Sequence, residues 1–266
     1  MQEYLDLIYA SAKPLCFVFT FLFGIVVGSF LNVCIYRIPE KQTIVTVPSH
    51  CMTCGKKLHW YELIPLFSWL FLRGKCHGCK AKISVQYPLV ECANGLIWIL
   101  VLFVKGLCPE GLLCCALFSA LFVIAVIDAR TQIIPQGLII FCLVVSVLEC
   151  ALRIFYYHDK WYMMLLGSVV LGGIFFLIWF FSEGKALGYG DVKLMLACGL
   201  FLGLKGSLCG VVITCFAGSI IHLSLMAIKK VGRRLALGPY LALGYAAAAL
   251  WGNELINWYL DKFFNI

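Results

Sequence analysis

Long apolar runs separated by short polar connections organise this chain from end to end. Runs at roughly 14–36, 87–104, 111–127, 134–153, 161–181, 192–204, 207–228 and 239–260 are read as eight helices, most of them long enough to cross ~30 Å of hydrocarbon. The sixth run is short if it starts after Asp191, so its helix is expected either to begin inside Gly188-Tyr189-Gly190-Asp191 or to be partly sheltered by neighbours. No comparable alternation of period two marks strands. The expectation is an all-α, polytopic membrane protein with one sizeable polar loop, between the first two helices.

Composition supports the pattern: 63% of residues are hydrophobic and 13% charged. The start carries Gln2, Glu3 and Asp6, an acidic beginning unlike a cleavable signal, so the first run is expected to remain as the first helix. The net charge of +8 is distributed by topology. With the amino terminus outside, the inner connections hold fifteen of the 21 Lys and Arg residues, including the run Lys229-Lys230-Val231-Gly232-Arg233-Arg234, and the outer parts hold six. That bias places both chain ends outside and requires no nucleic-acid partner.

Two acids then stand out. Asp128 ends the third run in Ile127-Asp128-Ala129-Arg130, and Asp191 opens the sixth; the topology puts both on the inner face although 63 positions separate them. An ionisable side chain at membrane depth is expensive and is read first as functional. If the two converge, like-charge repulsion leaves one proton between them, an arrangement able to activate water and to protonate a departing amine. The glycines before Asp191 allow close approach of a substrate backbone. The competing interpretation is a pair of interfacial acids offset by Arg130 and Lys193. Asn32, Glu91, Asn94 and His222 are further polar residues in apolar surroundings, and Glu91 is the most costly of them. Gly24-x-x-x-Gly28 and Gly199-x-x-x-Gly203 read as close helix approaches.

The inner loop, 37–86, contains Cys51-Met52-Thr53-Cys54 and Cys76-His77-Gly78-Cys79 with 21 residues between the pairs. Two such knuckles bring four thiolates toward the tetrahedral geometry that suits a structural zinc, with Gly55 and Gly78 expected at the tight turns. Disulfides fit poorly with a reducing compartment, and four cysteines would close the coordination shell against a catalytic metal. The other eleven cysteines lie in or beside apolar runs and read as small hydrophobes.

At this point the chain resembles a family along its whole length. Gly28-Ser29-Phe30-Leu31-Asn32-Val33 with Tyr36-Arg37-Ile38-Pro39, the paired Cys-x-x-Cys loop with Arg73-Gly74-Lys75-Cys76, and Tyr87-Pro88-Leu89-Val90-Glu91 come first. Ile127-Asp128, Ile134-Pro135, Gly188-Tyr189-Gly190-Asp191-Val192-Lys193-Leu194 and Leu237-Gly238-Pro239-Tyr240-Leu241 follow, and the ordered set resembles the bacterial type IV prepilin peptidases. The resemblance implies an aspartic endopeptidase of the bacterial inner membrane, with both termini periplasmic, whose substrates are prepilins or pseudopilins carrying a short basic leader that is removed on the cytoplasmic side. It implies Asp128 and Asp191 as the catalytic pair. It also implies a second activity, N-methylation of the new amino terminus from S-adenosylmethionine, associated with the loop. Gly28, Asn32, Arg37 and Glu91 are the candidates for methyl transfer, with helix packing or interfacial anchoring as the alternative for each.

Three departures accompany the resemblance. The family's Ile-Pro-Asp reads Ile134-Pro135-Gln136, Glu62-Leu63 replaces the common Asp-Asn before Ile64-Pro65, and Met52 stands where proline is frequent. On this reading 1–36 is the first membrane helix, 37–86 the four-cysteine loop of the methyl-transfer activity, and 87–266 the peptidase helices. Local attraction of a basic leader falls to Glu40, Glu62 or Glu183. The function from another class is a zinc-stapled membrane assembly factor or an ion-coupled transporter. Oligomeric state leaves no mark in the sequence.

Overall fold

A computed structural model describes residues 2–228 and 236–264, with side chains for 14–228 and 236–263. The basic run 229–234 lies outside the described residues. The chain divides into two compact units, Met1–Leu107 and Cys108–Ile266. Among the described residues all regular structure is helical apart from two isolated antiparallel bridges. The protein is an all-α polytopic membrane protein.

The first unit pairs α1 (Gln2–Arg37) with α3 (Gln86–Lys105), and the loop between them carries a single 3-10 turn, Trp60–Leu63, and the short α2 (Phe67–Phe71). The pairing is antiparallel and built on small residues. A Cβ on Gly24 would stand 2.7 Å from Gly95 Cα, and one on Gly28 would stand 2.7 Å from Glu91 Cα, so both backbones lie nearly in contact. Buried amides join the same seam: Asn94 donates to Gly24 O at 2.7 Å and Asn32 to Tyr87 O at 3.1 Å.

The second unit holds α4 (Pro109–Thr131), α5 (Gln136–Tyr156), α6 (Trp161–Phe181), α7 (Tyr189–Ala227) and α8 (Gly238–Phe264). Pro109 opens α4 behind a Cys108 cap, and Gln132, left-handed at φ 54, closes it by donating its N–H to Asp128 O at 2.9 Å. Pro135 then precedes α5, so the connection between α4 and α5 is short and rigid.

The sixth and seventh apolar runs share α7, and its Gly203 breaks the helix. Its φ of 68° with ψ −179° is open to glycine alone. Ser207 Oγ reaches Gly199 O at 3.4 Å, although eight residues of unbroken helix would hold those positions roughly 12 Å apart. The chain therefore turns sharply there. Before the break α7 packs on α6, where Ser168 donates to Leu196 O at 2.7 Å and Gly199 abuts Ser168. After it, Gly210 and Gly218 lie against Ala248 and Tyr240 of α8, in antiparallel order. Among the described residues six helices are long and apolar enough to cross a membrane: α1 from Pro14, α3, α4, α5, α6 and α7. The eighth run forms α8 but is too polar to qualify on composition.

Candidate active site

Asp191 occupies the third position of α7, which begins at Tyr189 inside the glycine motif. Its Oδ2 accepts the N–H of Gly188 at 3.2 Å, a carboxylate folding back on the residue that precedes its own helix. Only 9% of the residue is exposed, and Oδ1 is buried with no hydrogen-bond partner among the described residues. An orphaned carboxylate oxygen is costly to bury. It marks a place where water or substrate would bind.

Asp128 stands in the last turn of α4 and is 6% exposed. Its Oδ2 accepts the backbone N–H of Gly238, the first residue of α8, at 2.8 Å. Helix amino termini favour anions, so α8 is oriented to hold this carboxylate. Asp128 also lies close enough to Asp191 to act on it through charge. The two acids singled out in the sequence are thus within electrostatic reach of each other, each fixed through one oxygen by the main chain.

Lys193 does not neutralise them. Its Nζ donates to Gln136 Oε1 at 2.9 Å and lies 4.6 Å above the ring of Tyr189. Tyr189 in turn packs on Trp179 of α6 with ring centroids 5.0 Å apart. Gln136, read in the sequence only as a lost acid, is the acceptor that ties the start of α5 to the first turn of α7. Gly190 packs against Ile134 beside it, where a Cβ would stand 3.1 Å from Ile134 Cβ. The missed residues were Gly238 and Gln136. Their signals, Gly-Pro at a helix start and a polar residue just after Ile-Pro, were present but named no partner.

The cysteines converge as well. The Sγ atoms of Cys51, Cys54, Cys76 and Cys79 all lie within 4.8 Å of one another, and Cys51 and Cys79 are 3.9 Å apart. Four Zn–S bonds of about 2.3 Å give sulfur separations of about 3.8 Å, so the set fits a tetrahedral zinc. Each knuckle is closed in the same way, by Cys51 N–H to Lys56 O and Cys76 N–H to Ala81 O, both 2.9 Å. Backbone N–H groups of Cys54 and Thr53 bring the Cys51 thiol down to about 6, toward the thiolate a metal needs. One expectation is corrected. Gly55 takes the left-handed turn of the first knuckle at φ 71, but in the second it is Lys80, at φ 60, and not Gly78.

Two models of protein families match the chain: the bacterial peptidase A24 N-terminal domain over residues 22–105, and the type IV leader peptidase family over 115–223. Three relatives carry the name prepilin leader peptidase/N-methyltransferase. The one from Myxococcus xanthus is 36% identical, covering 83% of this chain and 67% of the relative. Those from Xanthomonas campestris and Pseudomonas aeruginosa are 32% and 30% identical, over 89% and 95% of this chain and 92% and 97% of the relatives. The chain belongs to the type IV leader peptidase family. It is an enzyme, a peptidase with an N-methyltransferase activity, and the assembly-factor and transporter alternative falls. No solved structure matches.

In this leader peptidase the first matched region holds the four-cysteine loop and the α1–α3 seam, and the second holds both aspartates but ends before Gly238. The four methyl-transfer candidates make contacts within the first unit. Gly28 admits the Glu91 backbone; Asn32 donates to Gly28 O and Tyr87 O, leaving its buried Oδ1 without a partner. Arg37 donates to Thr43 O, Val47 O and Pro48 O, and Glu91 accepts the N–H of Leu66 at 2.8 Å. These contacts join the helix seam and anchor the loop. Of the three acids considered for leader attraction, Glu62 is buried and bonded to His59 N–H and Lys56, and Glu183 pairs with Lys185 at 2.7 Å. Glu40 remains exposed.

Proposed function

We propose that this chain removes the basic leader of a prepilin or pseudopilin with Asp128 and Asp191 as its acid–base pair, and then methylates the new amino terminus. The observation that carries the reading is the pair itself: two buried carboxylates, each held by a helix-terminal N–H, with Asp191 Oδ1 unpartnered among the described residues. With one proton between them, the charged carboxylate takes a proton from water as the water oxygen attacks the scissile carbonyl. The protonated partner gives its proton to the departing nitrogen as the C–N bond breaks, and the pair ends with its proton count unchanged. Burial in an apolar bundle keeps bulk water from dispersing these charges.

The charge bias of the connections supports placing this site at the cytoplasmic face of the bacterial inner membrane with both termini periplasmic. The four cysteines would hold a structural zinc, which closes the 37–86 loop and takes no part in either reaction. The loop serves the methyl transfer, for which S-adenosylmethionine is the donor, and Gly28, Asn32, Arg37 and Glu91, on the seam and at the loop anchor, are the residues assigned to it.

Asp128→Asn and Asp191→Asn in the full chain test the dyad. Each is expected to lower prepilin cleavage by about 1,000-fold while methylation of precleaved pilin continues. Cleavage at the wild-type rate by either variant overturns the assignment.

A further inference from the structure

Residues 60–71 do not rise away from the membrane helices as a polar loop would. Leu66, in the middle of this segment, donates its N–H to Glu91 Oε2 at 2.8 Å. Glu91 is the sixth residue of α3, about 8 Å along the helix from its start at Gln86. The loop backbone is therefore tied to the amino-terminal end of a membrane span. Leu66 is held there at φ 61, a conformation costly for a leucine.

The short helix α2 that follows has two unlike sides. Trp69 faces the loop, donating its indole N–H to Ile83 O at 3.3 Å, with Gly74 against its ring. On the other side Leu70 and Phe71 are 65% and 82% exposed, and Trp60 in the preceding turn is 78% exposed. Phe67, Tyr61 and Ile64 line a shallow, almost wholly apolar cleft of about 270 Å³ between the turn and α2. An uncovered aromatic face of this kind needs an occupant.

Charge identifies the occupant. Residues 37–86 carry eight Lys and Arg against two acids, Glu40 and Glu62, and Glu62 is already engaged by Lys56. Exposed aromatic side chains in a cation-rich segment tied to the end of a membrane span are the pattern of a segment lying in the interface of an anionic bilayer.

We propose that residues 60–71 form a monotopic anchor that seats in an anionic lipid interface, with Trp60, Phe67, Leu70 and Phe71 at the acyl boundary and the surrounding Lys and Arg against lipid phosphates. The anchor fixes the four-cysteine centre at the membrane surface. It depends on the chain being a membrane protein and is independent of the aspartate dyad.

The test uses the full chain in nanodiscs of phosphatidylcholine and phosphatidylglycerol brominated on the upper acyl carbons. The emission lost in Trp60→Phe isolates the Trp60 signal. Bromolipid is expected to quench that signal by about half, with little quenching by aqueous acrylamide. Replacing Phe67, Leu70 and Phe71 together by serine is expected to reverse the two sensitivities, and omitting phosphatidylglycerol to weaken the lipid quenching. Quenching by acrylamide alone in the wild type overturns the anchor, as does shielding from both quenchers, which would mean that another part of this chain or a second copy covers the face. Lipid quenching that ignores the triple serine change or the anionic lipid overturns it too.

Discussion

Gly238 donates its backbone N–H to Asp128 Oδ2 at 2.8 Å across 110 positions of sequence, joining the first residue of α8 to the last turn of α4. A Cβ at this glycine would stand 2.7 Å from that same oxygen and 2.9 Å from Asp128 Cβ. Gly238→Ala should displace the carboxylate without unfolding the chain. Cleavage is expected to fall by about 100-fold, the cost of a misplacement of about 1 Å, with the thermal midpoint nearly unchanged. Single-turnover cleavage beside a melting curve checks this; an unaltered rate would deny the glycine its place in the site.

Lys193, two positions after Asp191 in α7, donates to Gln136 at the start of α5. Lys193→Met and Gln136→Leu should each slow cleavage by about tenfold, and the double variant should be no slower than either, because both remove one shared hydrogen bond. Additive losses in that cycle would mean the two residues act separately.

Metal removal should separate the two activities. Purified protein is expected to hold one zinc per chain, and Cys76→Ser, at the buried corner of the cluster, should abolish zinc retention and methylation while leaving cleavage near wild type. Zinc content by mass spectrometry and the two assays run side by side decide it. Loss of cleavage in step with methylation would refute the division of labour.

The His59 N–H, and then Lys56, hold the Glu62 carboxyl below the usual carboxylate range. A depressed value means that the charged form stabilises the fold. That stabilisation is complete above the unfolded value of about 4.3 and is lost as pH falls through the lower folded one. At pH 7, Glu62→Gln should therefore speed amide exchange around His59. The difference from wild type should shrink as pH drops below about 4, and a gap that persists there would remove charge as the cause.

At Gly203 an alanine meets a forbidden backbone region. Gly203→Ala is expected to lower stability by about 1–3 kcal/mol and to cut the folded yield. Lys80→Gly, which relaxes a left-handed lysine at φ 60, should instead be tolerated. Equal losses from the two would show that backbone strain is not the controlling factor.

Much of the site was legible before any fold. Asp128 and Asp191 could be placed at the ends of apolar runs, and the Cys-x-x-Cys pairs advertised their cluster, because these are properties of neighbours in the chain. Gly203 was harder to read. Two small residues at a four-residue spacing look the same whether the helix continues or turns, and Gly199-x-x-x-Gly203 does one job at each end: Gly199 packs on α6 and Gly203 ends the helix. Nothing around Glu91 in the sequence announced that Leu66, 25 positions earlier, would donate its N–H to that carboxylate.

The sequence by itself determined the helices, the polar loop and which acids could not sit in lipid without purpose, for hydrophobic run length and burial cost are local quantities. Only the tertiary structure decided that α8 offers its amino terminus to Asp128, that Gln136 takes Lys193, and that one oxygen of Asp191 meets no partner among the described residues. The first two relations join residues 57 to 110 positions apart. They arise from the packing of whole helices, in which no short stretch of chain names the partner it will meet.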